Sequence, residues 1–288
     1  MTAFSLNLPN KQDLIFLAEL VADLRAVAPD VSVLLVGAVA RDLLLFHAHG
    51  IRTGRATVDV DLALAVADWN DFERLRQSLL ASGSFSPVPK VAYKLLHRRR
   101  MEVDLIPFGG VELADGTIGW PPEGHTVMSV LGFQEALASS ITALLPLGQQ
   151  VAVVSLPMLA VLKVLAWSQR RTRQPGKDAS DIMLILDNYL DAGQAERLHS
   201  EADHLFAAGD FDYERTGSWL AGKDAVTQLR RHSANPNRIE QAVRSAVTPE
   251  VDPDGPLRLI GELKDPYPER TRRVLMAFLA GFNGGQYP

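Results

Sequence analysis

The chain has 288 residues, 47% hydrophobic and 22% charged, with a net charge of −5 and no cysteine. That size and balance suit one large or two modest globular domains and argue against a disordered chain. The lack of cysteine excludes disulfides, zinc–thiolate sites and thiol nucleophiles, and the negative charge argues against a broad basic surface for nucleic acid.

The opening MTAFSLNLPNKQDLIFLAEL does not read as a signal peptide. No stretch reaches the roughly 20 apolar residues that span a bilayer, so the expectation is a cytoplasmic protein without a membrane partner. Lys11 to Ala28 predicts an amphipathic helix, with Leu14, Leu17, Val21 and Leu24 near the helical period. Pro29-Asp30 breaks it. Val31 to Val36 predicts a buried strand, Gly37 ends it, and Ala38 to His47 predicts a helix. A loop follows over His49 to Arg55. Thr57 to Ala65 alternates as a strand, with Val58, Val60, Leu62 and Leu64 on one side and Asp59 and Asp61 on the other. Trp69 to Ser82 is a helix stopped by Gly83. Tyr93 to Leu96 and Met101 to Ile106 pair as a hairpin across the basic turn His97-Arg98-Arg99-Arg100. Gly109-Gly110 and Pro121-Pro122 bracket a loop-rich region.

The pattern turns helical near Ser155. LPMLAVLKVLAWSQRR carries Pro157 in its first turn. A loop with Pro175-Gly176 leads to a helix from Asp178 to Leu190. Further helices are expected around Ala192 to Ala207, Tyr213 to Arg231 and Pro268 to Ala280. Residues 248–268, with Pro249, Pro253, Pro256, Pro266 and Pro268, read as an irregular connector, and FNGGQYP as a loose tail. The expected fold class is α+β: a mixed-sheet domain over 1–150 and a mainly helical domain over 151–288.

Chemistry concentrates in Val36-Gly37, Arg41-Asp42, Asp59-Val60-Asp61 and Asp104. Two carboxylates two apart on an apolar strand share a face. Their repulsion and burial cost call for a cation, and hard oxygen ligands suit Mg²⁺ or Mn²⁺. Asp104 sits between Val103 and Leu105 and faces away from them. If its strand adjoins the first, three carboxylates meet, a set suited to metal-assisted phosphoryl transfer with Asp104 as general base. Gly37, between a strand and a helix, lets backbone N–H groups approach a phosphate. Arg41, one turn on, reaches toward a triphosphate, with Asp42 holding it. The bland readings of these pieces are a surface D-x-D, a turn glycine and a strand-edge aspartate; their order favours the functional one. The clusters His97 to Arg100 and Arg170-Arg171-Thr172-Arg173 with Lys177 read either as solvated faces or as local polyanion contacts. The seven histidines, His47, His49, His97, His125, His199, His204 and His232, show no metal-ligand spacing.

At these residues the sequence resembles the nucleotidyltransferase superfamily with the DNA polymerase beta-like fold. LLVGAVARDLLL followed by TVDVDLAL is similar to the head of tRNA CCA-adding enzymes. WPPEGHTVMSVLGFQEAL, LAVLKVLAWSQRR and KDASDIMLILDNY instead resemble the AbiEii/AbiGii toxin-type nucleotidyltransferases, a likeness covering most of residues 30–225. The resemblance implies that Gly37, Ala38 and the following amides bind the phosphates of an NTP. It also implies that Asp59, Asp61 and Asp104 hold metal, and that Lys163 contacts nucleotide phosphate with Asp178 and Asp181 as the acidic pair of a K-D-x-x-D motif. It further implies a toxin with a cognate antitoxin, some relatives modifying the tRNA acceptor end. Gly37-Ala38 departs from the Gly-Ser of many members, so a serine contact to phosphate is lacking. From its neighbours alone, Lys163 either snorkels to solvent or points into a cleft. Asp178 and Asp181, on one helix face, either favour the helix dipole or pair with Lys163 or Arg170. Trp167 reads as core. The alternatives are transfer to a small molecule or protein, or a catalytically silent nucleotide-binding module.

Overall fold

The computed structural model describes residues 5–54, 59–89, 91–121, 127–170, 176–203, 205, 209, 211–247 and 255–288. Thr57 and Val58 at the start of the predicted strand, Pro122, His125, Arg171 to Pro175, His204, Pro249 and Pro253 lie outside the described residues. The chain divides into two compact units, Met1–Ser155 and Leu156–Pro288.

The first unit runs β1 (Ser5–Asn7), α1 (Ile15–Val27), β2 (Val33–Val36), α2 (Gly37–Asp42), β3 (Asp59–Val66), α3 (Trp69–Ala81), β4 (Phe85–Pro87), β5 (Lys94–His97), β6 (Met101–Gly109), β7 (Thr117–Gly119), β8 (Val127–Ser129), α4 (Phe133–Ala138), β9 (Ile141–Leu144) and β10 (Gln150–Val153). Among the described residues β7 and β8 form a separate hairpin, and the other strands form one mixed sheet in the order β1-β9-β10-β2-β3-β6-β5-β4. All four residues of β2 are buried, as expected of a central strand covered on both faces. β2 runs antiparallel to β3, and β3 parallel to β6. Asp68 caps α3 by accepting from the Asp71 amide at 2.9 Å, which satisfies one of the free N–H groups of the first turn. The helix expected from Ala38 to His47 is α2 continued by a π-helical turn, Leu43–His47.

Several elements of this unit were not expected, among them β1, β4, β8 and α4. β9 and β10 complete the sheet in a stretch without a predicted strand, and β7 lies within the predicted loop-rich region. These strands have three or four residues, too few to display a period of two against their apolar surroundings.

The second unit runs α5 (Leu156–Arg170), α6 (Lys177–Asp187), α7 (Leu198–Glu201), α8 (Tyr213–His232), α9 (Pro236–Val247), α10 (Gly255–Leu263) and α11 (Pro268–Phe282). α8 and α11 approach so closely that a Cβ on Gly222 would overlap the Phe278 carbonyl, and one on Gly281 the Trp219 carbonyl. The predicted connector contains α10, and α9 precedes it where no helix was expected. Pro236 and Pro268 open their helices and Pro256 is the second residue of α10; in the first turn a proline forfeits no intrahelical bond. The region expected as one helix from Ala192 to Ala207 holds a 3-10 turn, Ala195–Arg197, and α7. The tail is pinned rather than loose. Trp219 Nε1 donates to the Gly285 carbonyl at 3.2 Å, the Tyr287 ring meets Trp219 edge-on, and the Arg215 guanidinium lies 4.8 Å above Tyr287. Among the described residues no helix is long and apolar enough to cross a membrane.

Candidate active site

The β3–β6 register pairs Asp61 with Asp104 and Asp59 with Glu102. Paired residues of neighbouring strands share a face, as do residues two apart on one strand. The strands therefore bring Asp59, Asp61 and Asp104 to one face, as their spacing predicted, and add Glu102. β5 pairs Lys94 with Asp104, and Lys94 Nζ lies 2.6 Å from Glu102 Oε2 and 3.1 Å from Asp104 Oδ1. Sequence reasoning did not single out Lys94 or Glu102, although Glu102-Val103-Asp104 repeats the spacing of Asp59-Val60-Asp61.

The electrostatics follow from this crowding. Burial pushes the Asp104 pKa above the usual carboxylate range; Lys94 opposes that shift, and the charges of Asp59 and Glu102 reinforce it. Burial alone would lower Lys94, but its hydrogen bond to Glu102 and the nearby negative charge of Asp104 outweigh it and raise the lysine, which stays protonated. Asp104 Oδ1 is buried without a hydrogen-bond partner, its approach to Lys94 not being aligned as a hydrogen bond. Among the described residues no three His, Asp or Glu side chains are gathered as a shell around a metal ion. The all-carboxylate donor set and the unsatisfied Asp104 oxygen nonetheless match the chemistry of a hard divalent cation.

Gly37 begins α2 directly against this face. Its φ of +71° is left-handed, and a Cβ there would overlap the Asp61 carboxylate. Glycine is thus required twice, by conformation and by space. Ala38 follows in the first turn of α2. Arg41 is 1% exposed, and its Nε and Nη2 donate to Asp42 Oδ1 at 2.9 and 2.6 Å. The predicted holding role of Asp42 is thus present, but the guanidinium is folded inward instead of extending into solvent toward a triphosphate.

The remaining predicted residues gather in the second unit. Lys163 on α5 is 5% exposed and lies 2.7 Å from Asp181 Oδ2 and 3.5 Å from Asp178 Oδ1, both aspartates on α6 being 1% exposed. Arg170 grips Asp178 through Nε at 2.6 Å and Nη2 at 2.7 Å, a bidentate fork. The snorkelling alternative for Lys163 is therefore excluded, and the aspartates pair with both cations. Trp167 is core, 1% exposed, and its Nε1 donates to Glu262 at 3.0 Å. Glu262 also accepts from the Gly176 amide at 2.9 Å, tying α10 to the start of α6; its position in the presumed connector had hidden it. In the basic turn, His97 is 2% exposed and bonded to Asp23 at 2.8 Å, and Arg98 pairs with Glu19 and Asp23. His97 is therefore not part of a solvated face; Arg98, Arg99 and Arg100 are exposed, Arg98 while paired to the two acids.

None of the curated proteins matches the chain. Among solved structures, a nucleotidyltransferase-like antigenic protein from Paracoccidioides brasiliensis is 20% identical, covering 70% of this chain and 93% of its own, with a TM-score of 0.40. The antibiotic-resistance factor ANT(2'')-Ia is 15% identical, covering 67% and 95%, with a TM-score of 0.38. The family described as nucleotidyl transferase AbiEii toxin, of type IV toxin–antitoxin systems, matches residues 20–254. That span takes in the carboxylate face, Gly37 and the Lys163 cluster, and the chain belongs to the AbiEii nucleotidyltransferase toxin family.

Proposed function

We propose that this nucleotidyltransferase moves a nucleoside monophosphate from an NTP to a hydroxyl at the acceptor end of tRNA, releasing pyrophosphate, as the cytoplasmic toxin of a toxin–antitoxin pair. The observation that carries the reading is the register that sets Asp61 beside Asp104, with Asp59 on the same face. Asp59, Asp61 and Asp104 hold Mg²⁺ or Mn²⁺. When bound, the ion neutralises charge on the transferring phosphoryl group and eases deprotonation of the attacking hydroxyl. Asp104 accepts the acceptor hydroxyl's proton; its raised pKa suits a base. The hydroxyl oxygen bonds to the α-phosphorus as the bond to pyrophosphate breaks.

Gly37 and Ala38 present backbone N–H groups to the phosphates, where no serine hydroxyl is available. Arg41 contributes positive charge from one turn behind. Lys163 is the phosphate ligand of the second unit, oriented by Asp178 and Asp181. A small-molecule or protein acceptor is the competing reading. Both are tested with purified protein, a divalent ion, each of the four α-³²P-labelled NTPs and total tRNA, run beside Asp59→Ala. Label on tRNA from one NTP, lost in the variant, is the expected result. Label on protein or an aminoglycoside instead moves the acceptor, and equal labelling by Asp59→Ala rejects the carboxylate site.

A further inference from the structure

The first unit holds a concavity of about 590 Å³, lined by Asp13, Leu14, Phe16, Val39, Asp42, Phe46, His47 and Arg52 to Gly54. Its size falls in the range of small-molecule sites. Gly37 packs on Asp61, whereas Val39, Asp42 and Phe46, spaced three and four apart, form a different stripe of the same helical run.

Three observations mark the cavity as built for a ligand. First, Phe16 and Phe46 are 41% and 44% exposed, two large flat apolar groups that both line the cavity wall. Second, Phe46 and His47 lie on the π-helical turn Leu43–His47, a rare geometry that occurs often at functional sites. Third, His47 Nδ1 is buried without a hydrogen-bond partner, 3.4 Å from Asp13 Oδ2. A buried polar nitrogen left unpaired costs free energy that a ligand hydrogen bond would remove. Burial lowers the His47 pKa, with Asp13 opposing and Lys11 reinforcing the shift, so the ring presents as neutral imidazole near pH 7.

The chemistry of the lining selects the occupant. The two phenyl faces take a flat ring. Asp13 is a hydrogen-bond acceptor and calls for a donor such as an exocyclic amine; Asp42 is already engaged by Arg41. Arg52 is exposed at the rim and carries no ion pair among the described residues, so it calls for an anion. A flat ring bearing an amine and a tethered phosphate meets all three demands. We infer that this cavity binds a nucleotide unit, its amino-bearing base against Phe16 and Phe46 and its phosphate at Arg52, at a site separate from the carboxylate face. The unit is either a free nucleotide or the terminal residue of a strand; both present the same groups.

The experiment is equilibrium dialysis of the full chain in EDTA, which removes any divalent-ion-dependent binding at the carboxylate face. The probes are AMP, adenosine, UMP and a 5′-phosphorylated oligoadenylate. The expected result is one saturable site per chain that prefers AMP to UMP, retained in Asp59→Ala. Phe46→Ala should weaken it on the order of tenfold through lost stacking. Arg52→Ala should weaken AMP but leave adenosine unchanged; this exposed position keeps the test valid if Phe46→Ala fails to fold. Binding by AMP identifies a free nucleotide, and binding by the oligoadenylate alone identifies a strand end. Absence of saturable binding by both, or binding that neither variant weakens, overturns the inference. Loss of transfer activity alone does not bear on it, so its failure is distinct from failure of the proposed reaction.

Discussion

On the sheet face of the first unit, Asp59, Asp61, Glu102 and Asp104 stand with Lys94 bridging the last two. In the second unit, Asp178 and Asp181 are gripped at close range by Lys163 and Arg170. The residue types are nearly the same, but the surroundings differ. The carboxylates of the sheet are partly exposed, and Asp104 is pushed toward protonation by burial and by its acidic neighbours. Those of the second unit are buried to 1% exposure and matched by cations within the fold. A buried ion pair is costly to break from one side, because the orphaned charge stays in a low dielectric. A crowded carboxylate face instead gains from any loss of negative charge. On the sheet face Lys94 pairs with Glu102 and Asp104, whereas Asp178 and Asp181 are closed in by Lys163 and Arg170.

The sharpest way to break this comparison is to neutralise one member of each. Asp104→Asn should lower nucleotide transfer by about 10²–10⁴-fold, the usual contribution of a positioned base, while urea unfolding shows unchanged or slightly raised stability. Lys163→Met should cost about 3–5 kcal/mol in the same unfolding assay, since Asp181 loses its 2.7 Å partner while buried. If Asp104→Asn destabilised the protein as much as Lys163→Met, the sheet carboxylates would be structural and the distinction would fall.

Much of this contrast was legible in the sequence. The alternation of Asp59 and Asp61 with Val60 and Leu62, and of Asp104 with Val103 and Leu105, places the acids on one side of their strands. The helical spacing of Asp178 and Asp181 allowed their pairing with Lys163 and Arg170. What stayed hidden has physical causes. Lys94 and Glu102 are ordinary strand polars until the cross-strand register is known. Strands as short as β9 and β10 show no period. Prolines were read as breakers over 248–268, whereas Pro256 and Pro268 sit in helix first turns. Gly285 and Tyr287 are held against the second unit by Trp219 on α8, a contact made across 66 residues of sequence. The inward fold of Arg41 onto Asp42 was only half foreseen, because spacing places an arginine on a helix face without saying how far it extends.

A third carboxylate sharpens the comparison with a smaller effect. Asp187 in the second unit shares Arg270 with Glu214: Arg270 Nη2 lies 3.1 Å from Asp187 Oδ1 and 2.7 Å from Glu214 Oε1. With its side chain 23% exposed it is less buried than Asp178, and like Asp104 it is only half-compensated. Burial raises its pKa to about 6; Arg270 opposes the rise, and Glu214 and Asp265 add to it. Because the folded value lies above the unfolded value of 3.8, the folded state binds the proton more tightly. The stabilisation from the protonated form is therefore full below about pH 4, and it is lost as pH rises through about 6. A gap of about two pH units corresponds to at most about 3 kcal/mol. Asp187→Asn removes the titration while keeping the shape of the side chain. Urea unfolding of the wild type at pH 4.5 and pH 7 should show this decline on top of the shared background, and Asp187→Asn should flatten it and raise stability at pH 7 by roughly 1–3 kcal/mol. A variant that loses stability at pH 7 would instead place Asp187 with Asp178, as a carboxylate that its arginine fully compensates.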